Sequence, residues 1–376
     1  MFQRVNATRW LLVLGIIGWG TTGSLTGQDM PQTIQDDDGH VFKIDLYTDK
    51  VPNARQMAET ESGILFVGSR GEGKLYAVLE DAEDVFVFAE KLEVPSGLAL
   101  LNGDLYVAAY DKILRYEDIE ETYRFSPQPE IVTDELPGDG IRYHGWKYMS
   151  VGPDNFLYVN VGAPCNVCLK DDERFASIVR IDPSNGDMEV YAHGVRNSVG
   201  SSWHPETNKM WFSDNGRDWM GDDIPPEEIN VVDEPGAHYG FPFIHGDNIL
   251  DPEYGEQADD DVTYVAPKLN IQAHSAVLGI DFYDKKQFPA SYKNALFLAE
   301  HGSWNRSELV GYQVSVVKVK DEILEYKPFI SIWLIRDKIM LGRPADVLVA
   351  RDGSLYISDD HFGKIYRVTY QGKLEE

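Results

Sequence analysis

The sequence predicts an all-β fold: a six-bladed β-propeller with four-stranded antiparallel blades. Three observations predict it. A short turn followed by an alternating aromatic strand recurs six times. The copies are spaced at blade-sized intervals. No long amphipathic helix interrupts them, and strands that repeat without helices favour a propeller over a sandwich.

The turns are Ser62-Gly63, Asn102-Gly103, Asp154-Asn155, Thr207-Asn208, Lys293-Asn294 and Asp352-Gly353. The strands that follow carry Leu65-Phe66-Val67, Leu105-Tyr106-Val107, Leu157-Tyr158-Val159, Met210-Trp211-Phe212, Leu296-Phe297-Leu298 and Leu355-Tyr356-Ile357. Asn, Asp and Gly supply the backbone freedom a tight turn needs, and β-branched and aromatic residues favour strands. The Leu or Met positions 65, 105, 157, 210, 296 and 355 lie 40, 52, 53, 86 and 59 residues apart. Further strands flank the copies, as in Gly97–Leu101 before the second and Lys112–Tyr116 after it. Val41–Leu46 is placed to supply the outer strand of the last blade, which would close the ring and remove its open edges.

Residues 1–27 read as a cleavable signal peptide. Arg4 and Arg9 precede an apolar run from Trp10 to Trp19, and small residues follow from Thr21 to Gly27. That run is too short to span a bilayer as a helix; an uncleaved anchor or a buried strand is the competing reading. Residues 28–376 are then one exported propeller domain, periplasmic or secreted, with no membrane span after processing. The formal net charge is -28, and loss of Arg4 and Arg9 makes it -30. Such a surface repels nucleic acid and anionic membranes.

The two cysteines, Cys165 and Cys168, form a Cys-x-x-Cys pair. Haem attachment would need His at position 169, which is Leu169, and a full zinc site would need more ligands. A disulfide and two ordinary thiols remain as readings, neither with a catalytic role. The 86-residue spacing holds an acidic insertion, about 217–276. Its acids from Asp222 to Glu228 suit Ca²⁺, which takes six to eight oxygens. The run Asp259-Asp260-Asp261 reads as a solvated loop.

Several segments are more specific: His144-Gly145-Trp146-Lys147, Gly162-Ala163-Pro164-Cys165, His193-Gly194-Val195-Arg196-Asn197, Asp214-Asn215-Gly216-Arg217-Asp218, Glu300-His301-Gly302-Ser303-Trp304 and Gly342-Arg343-Pro344. In this order they resemble the glucose/sorbosone dehydrogenase family, the soluble sugar dehydrogenases that use pyrroloquinoline quinone (PQQ) and calcium. The resemblance covers about residues 50–370 and is strongest for the sorbosone-type branch. It implies a six-bladed propeller with the cofactor over the central channel. It also implies oxidation of an aldose or sugar aldehyde, with electrons passed to an external acceptor such as a cytochrome or a quinone. His144 matches the general base, and an imidazole suits that role. Arg196 and Asn197 match the pair at the cofactor's polar edge, and Arg343 an Arg that grips a cofactor carboxylate. The carbonyls of Gly216 and Arg217 match calcium ligands, and Glu228 a carboxylate of a further, structural calcium site. His301, Trp304 and Arg306 occupy the stretch where relatives place a cofactor-binding Lys.

There are departures. Tyr143 stands where the best-studied members have an Asp that orients the catalytic His, and its phenol is a candidate acceptor for the ring N–H. Arg217 stands for Pro, and a first-blade Gln that contacts the quinone has no match. His204, His238 and His274 read as scaffold, with His274 placed to reach the channel. Two other functions fit a propeller: a Ca²⁺-dependent lactone or ester hydrolase, with metal ligands arriving from several blades, and a non-catalytic exported binding protein.

Overall fold

Each of the six aromatic repeats forms the second strand of a sheet: Leu65–Ser69, Asp104–Ala108, Leu157–Val161, Met210–Asp214, Leu296–Glu300 and Leu355–Asp359. All five residues of each are buried. A strand covered on both faces reads as a nearly continuous apolar run, which is why the repeat is so visible. The turn at Asn102-Gly103 shows the local cause: both residues have positive φ, 55° and 90°, as a two-residue hairpin of the favoured twist requires.

The computed structural model describes residues 32–80, 82–138, 143–320, 323–335 and 339–374. The predicted leader, 1–27, lies outside them. Six antiparallel sheets make the blades. Their innermost strands, in chain order, are Ala54–Glu59, Gly97–Leu101, Met149–Val151, Ser201–Trp203, Val277–Phe282 and Pro344–Val349. Each touches the next, and the sixth touches the first. This is the expected six-bladed β-propeller. Among the described residues, no helix is long and apolar enough to cross a membrane.

The ring closes as expected. His40–Thr48 pairs antiparallel with Lys364–Lys373, from His40 opposite Lys373 to Thr48 opposite Ile365. The N-terminal strand thus completes the last blade. Thr33–Gln35 adds a fifth strand to that sheet. Phe42, wholly buried, fixes this closure by meeting Phe288, Phe329 and Tyr292 edge-on at 4.9, 5.1 and 5.5 Å.

Buried polar side chains pin the inner strands together. Gln56 of blade one accepts from the Leu98 and Met149 amides at 2.9 and 3.0 Å, and its Nε2 donates to the Met149 carbonyl at 2.6 Å. Asp346 of blade six accepts from the Met57 amide (2.9 Å) and the Tyr148 hydroxyl (3.2 Å). Asp281 of blade five accepts from Ser202 Oγ (3.0 Å) and the Val349 amide (2.9 Å). A buried donor left without its partner costs about 1–3 kcal/mol, so these groups specify blade order.

The acidic segment differs from its expectation. Between 217 and 276 lie two strands of blade four, Glu227–Val231 and Leu269–Ile271, and the stretch between them carries a small hairpin, Ile244–His245 with Ile249–Leu250. Two adjacent carboxylates hide the strand from pattern reading, yet both are buried because backbone amides bind them. Asp222 and Asp223 do not join Glu227 and Glu228 in a shared site: Asp222 accepts from the Ser307 amide (3.1 Å) and Asp223 pairs with Arg306 (2.9 Å).

Phe42→Ala should destabilise the fold by about 3–5 kcal/mol, the range for emptying a buried aromatic position. Urea unfolding checks this, and a loss under 1 kcal/mol would count against the closure as described.

Candidate active site

Blades one, three, four, five and six contribute to a cavity of about 430 Å³ at one end of the propeller. His144, Arg196, Asn197, Gly216, His301, Trp304 and Arg343 all line it. Seven residues singled out from sequence, spread over 200 positions, therefore meet in one place. Arg217 and Glu228 do not line it. The Arg217 guanidinium points to Asp251 and Glu253, each at 2.8 Å. Arg306 is also spent elsewhere, on the Asp222 carbonyl and Asp223.

His144 is buried and sits in the left-handed region, φ 50°. That conformation is uncommon for a residue with a side chain, and strain of this kind gathers at functional sites. Its Nδ1 lies 2.9 Å from the Ala163 carbonyl. A carbonyl only accepts, so Nδ1 carries the proton and Nε2 keeps its lone pair. Burial first, and then the charge of Arg196, hold the imidazole well below its usual pKa, so it is a neutral base. The expected orienting role of Tyr143 falls to Ala163 instead. The Tyr143 ring lies beside the imidazole, centroids 4.4 Å apart, and is partly exposed. Gly162 makes the approach possible: a Cβ there would sit 2.7 Å from His144 Cβ.

The neighbouring loop is held by Asp214. Its two oxygens accept from the Arg196 and Asn197 amides at 2.8 and 2.6 Å. The Arg196 guanidinium is buried, with Nη1 bonded to the Asn215 carbonyl at 3.0 Å. Across the cavity, Arg343 is anchored by Nε to the His301 carbonyl at 3.0 Å and by Nη2 to the Gly302 carbonyl. His301 Nε2 meets Asp360 at 2.8 Å. Burial pushes His301 down to about 4, and the nearby cations keep Asp360 ionised.

Sequence reading missed Arg55 and Arg70, which line the cavity together with Glu227, one of the acids read as suiting calcium, and His274, placed by the sequence to reach the channel. Arg55 is 4% exposed; Asp360 lies 3.4 Å from its Nε, and its Nη1 has no hydrogen-bond partner among the described residues. Arg70 rests over the Trp146 ring, 3.8 Å from the centroid. The available signal was a polar Arg55-Gln56 pair interrupting an inner strand. His274 reaches the cavity, but its Nε2 is tied to the Gly221 carbonyl at 2.8 Å.

Oxygen donors gather on the blade-four side. Glu227 accepts from the Gly216 and Ala276 amides at 2.6 and 3.1 Å. Behind it, Glu228 stands directly across from Asp214 on the adjacent strand, and Asn230 Oδ1 is buried without a partner. Burial pushes all three carboxyls upward, Glu227 to about 7, and nearby negative charge adds to it: Glu227 acts on Asp214, Asp214 on Glu228 and Asp218 on Glu227. Carboxylate and carbonyl oxygens of this kind suit a hard cation such as calcium. The four arginines on the cavity wall suit an anion with several carboxylates, and the free Nη1 of Arg55 is an open donor for one. The residues present thus fit both PQQ and calcium.

Cys165 and Cys168 are joined as a disulfide, which settles the two readings left open by the sequence.

The fold and the cavity define a class: six-bladed propellers with a buried, arginine-lined binding site at the channel mouth. The profile of the Glucose / Sorbosone dehydrogenase family matches residues 108–367, and the chain belongs to that family. It is 33% identical over 360 residues to an uncharacterized protein of Borreliella burgdorferi, covering 93% of this chain and 94% of that one. It is 26% identical over 207 residues to the aldose sugar dehydrogenase YliI of Escherichia coli, covering 54% of this chain and 48% of that protein. The holo form of the pyranose dehydrogenase PQQ domain from Coprinopsis cinerea superposes with a TM-score of 0.69 at 17% identity, over 90% of this chain and 97% of that one. At that identity the likeness concerns the fold.

A raised carboxyl implies a pH dependence. Glu227 keeps its proton in the fold up to about pH 7, whereas the unfolded chain releases it near pH 4.3. The stability this group contributes is therefore present below the unfolded value and lost as pH rises to about 7, a change of about 4 kcal/mol. In metal-free protein, Glu227→Gln should flatten the fall in melting temperature between pH 5 and 8. Parallel curves for the variant and the parent would refute this.

Proposed function

We propose that this protein oxidises an aldose or sugar aldehyde with PQQ and calcium, after export, and passes the electrons to an external acceptor. The observation that carries the reading is a neutral His144 in a cavity ringed by Arg55, Arg70, Arg196 and Arg343, within a chain of net charge -28. So many cations around one cavity of an acidic protein favour a polyanionic ligand, and membership of the family supports PQQ. The carboxylates at the cavity, Asp218 and Glu227, both come from blade four, whereas a metal-dependent hydrolase would draw them from several blades.

His144 Nε2 takes the proton of the sugar hydroxyl as it becomes a carbonyl. Arg55 and Arg343 would hold carboxylates of the cofactor, and Asn197 Oδ1, buried and without a partner among the described residues, would accept from its polar edge. Arg196 faces the negative charge that builds during transfer. The Gly216 and Arg217 carbonyls, with Glu227, would hold calcium, and Glu228 would serve a second, structural ion. When bound, PQQ supplies the hydride acceptor and calcium polarises it. Trp304, 62% exposed and 5.5 Å from Trp219, offers an indole face to the sugar ring. The strongly acidic surface favours a basic acceptor, whose encounter rate would fall with salt.

Adding PQQ and calcium to the purified protein should give dye reduction with aldoses or sugar aldehydes. Failure to bind PQQ at micromolar concentration would end the proposal. His144→Ala should lower kcat about 10²- to 10⁴-fold, the usual range for a general base. Arg55→Ala should weaken PQQ binding at least about tenfold by absorbance titration, as expected for losing a charged hydrogen bond.

A further inference from the structure

The Cys-x-x-Cys segment has no part in the chemistry above, yet it reaches the cavity wall through one residue. Asn166 lies within the four-residue loop closed by the Cys165–Cys168 disulfide. Its backbone carbonyl accepts from Arg196 Nε at 2.9 Å. Its side-chain Oδ1 accepts from Arg196 Nη2 at 2.9 Å and from the Asp218 amide at 2.8 Å. Its Nδ2 donates to the Asp218 carbonyl at 3.1 Å. A single blade-three residue therefore grips two residues of blade four, both of which line the cavity.

The residue type matters. Only a primary amide can accept twice through one atom and donate through the other. Aspartate would set a lone pair against the Asp218 carbonyl, and alanine would leave Oδ1 and Nδ2 without replacement. Closing the loop covalently restricts the conformations open to its backbone, so the Asn166 carbonyl and amide stay aimed at the guanidinium. Asp218 passes the constraint on: its Oδ1 accepts from Asn305 Nδ2 at 2.9 Å, and its Oδ2 lies 3.5 Å from Arg196 Nη2.

We infer that Asn166, presented by the Cys165–Cys168 loop, is a positioning residue that seats Arg196 and Asp218 beside His144. The disulfide is then a structural part of the active site, not a redox centre. The catalytic side of this inference rests on the sugar-oxidation reading; the geometric side does not.

The charged and titratable groups facing His144 are Arg196, Arg70 and Tyr143. The proximity of Arg196 disfavours a second proton on the imidazole. Without the Asn166 side chain the guanidinium loses its 2.9 Å bond at Nη2 and keeps the Asn166 and Asn215 carbonyls and the longer contact to Asp218; as it shifts away, the imidazole should protonate at higher pH. Two measurements on the full chain test this. The first is His144 titration by NMR in protein without cofactor or sugar, with His144→Asn to assign the resonance. In Asn166→Ala the midpoint should move up toward the ordinary imidazole range of about 6.5. The second is steady-state kinetics of the loaded enzyme. Here kcat should fall about 10- to 100-fold, with KM for the sugar changed less than about threefold, as misplacement of a catalytic group implies. C165S/C168S keeps Asn166 but opens its loop, and should shift both readouts in the same direction by less.

An Asn166→Ala protein with parental titration and parental kcat overturns the inference. A C165S/C168S protein indistinguishable from the parent in both overturns the part assigned to the loop. If the parent oxidises no sugar at all, the proposed function fails, while the titration still decides the role of Asn166.

Discussion

The pairing of His40–Thr48 with Lys364–Lys373 brings both ends of the described chain into one blade, and the cavity depends on it. One wall of the site straddles that joint. Arg55 comes from the inner strand of blade one, Asp360 from blade six, and the two lie 3.4 Å apart. Arg343 enters just before the inner strand of blade six. If the last blade opened, these groups would separate. The Phe42 cluster therefore bears on binding as much as on stability, although it touches no ligand site. A sheet left without its outer strand would also expose unpaired backbone groups, a hazard the closure removes.

The same joint concentrates charge. Burial and the charge of Arg55 lower the pKa values of Arg70 and Arg343, with Arg343 adding to the effect on Arg70, and Asp360 is their nearby counter-charge. Bringing like charges together out of water is costly, and nothing in the fold requires it. On the blade-four side the imbalance is reversed, with Asp218 and Glu227 lining the cavity beside Arg196 and Asp214 and Glu228 buried behind them. One cavity thus presents a cationic wall and an anionic wall. A polyanionic cofactor and a divalent cation bound side by side would neutralise both. His144 sits between these walls as a neutral base, kept so by burial and by Arg196.

The order of the blades was open to sequence reading because it rests on a local pattern. The residues at the repeated Leu or Met position, from Leu65 to Leu355, are at most 1% exposed. Repetition makes such positions visible without any tertiary knowledge. Much of the site was visible for a different reason: His144, Arg196, Asn197, His301, Trp304 and Arg343 sit in short segments whose residue types are unusual for a generic strand or turn. Glu227 and Glu228 read as calcium-binding acids of an insertion and not as a strand, because a carboxylate bonded to a backbone amide looks no different in sequence from one facing water.

By itself, the sequence determined the all-β class, the six blades and the closing strand, and it named seven of the residues that meet at the cavity. Each of these follows from local patterning or from short motifs. The tertiary structure alone decided which distant groups meet. It put Ala163, not Tyr143, on the imidazole, and turned the Arg217 side chain away from the cavity. It brought Arg55 and Arg70 to the wall and made Asn166 a clamp on Arg196. The physical reason is that a propeller mouth is assembled from loops of separate blades. Proximity there depends on ring geometry and on which buried polar groups find partners, and neither is written in a run of neighbouring residues.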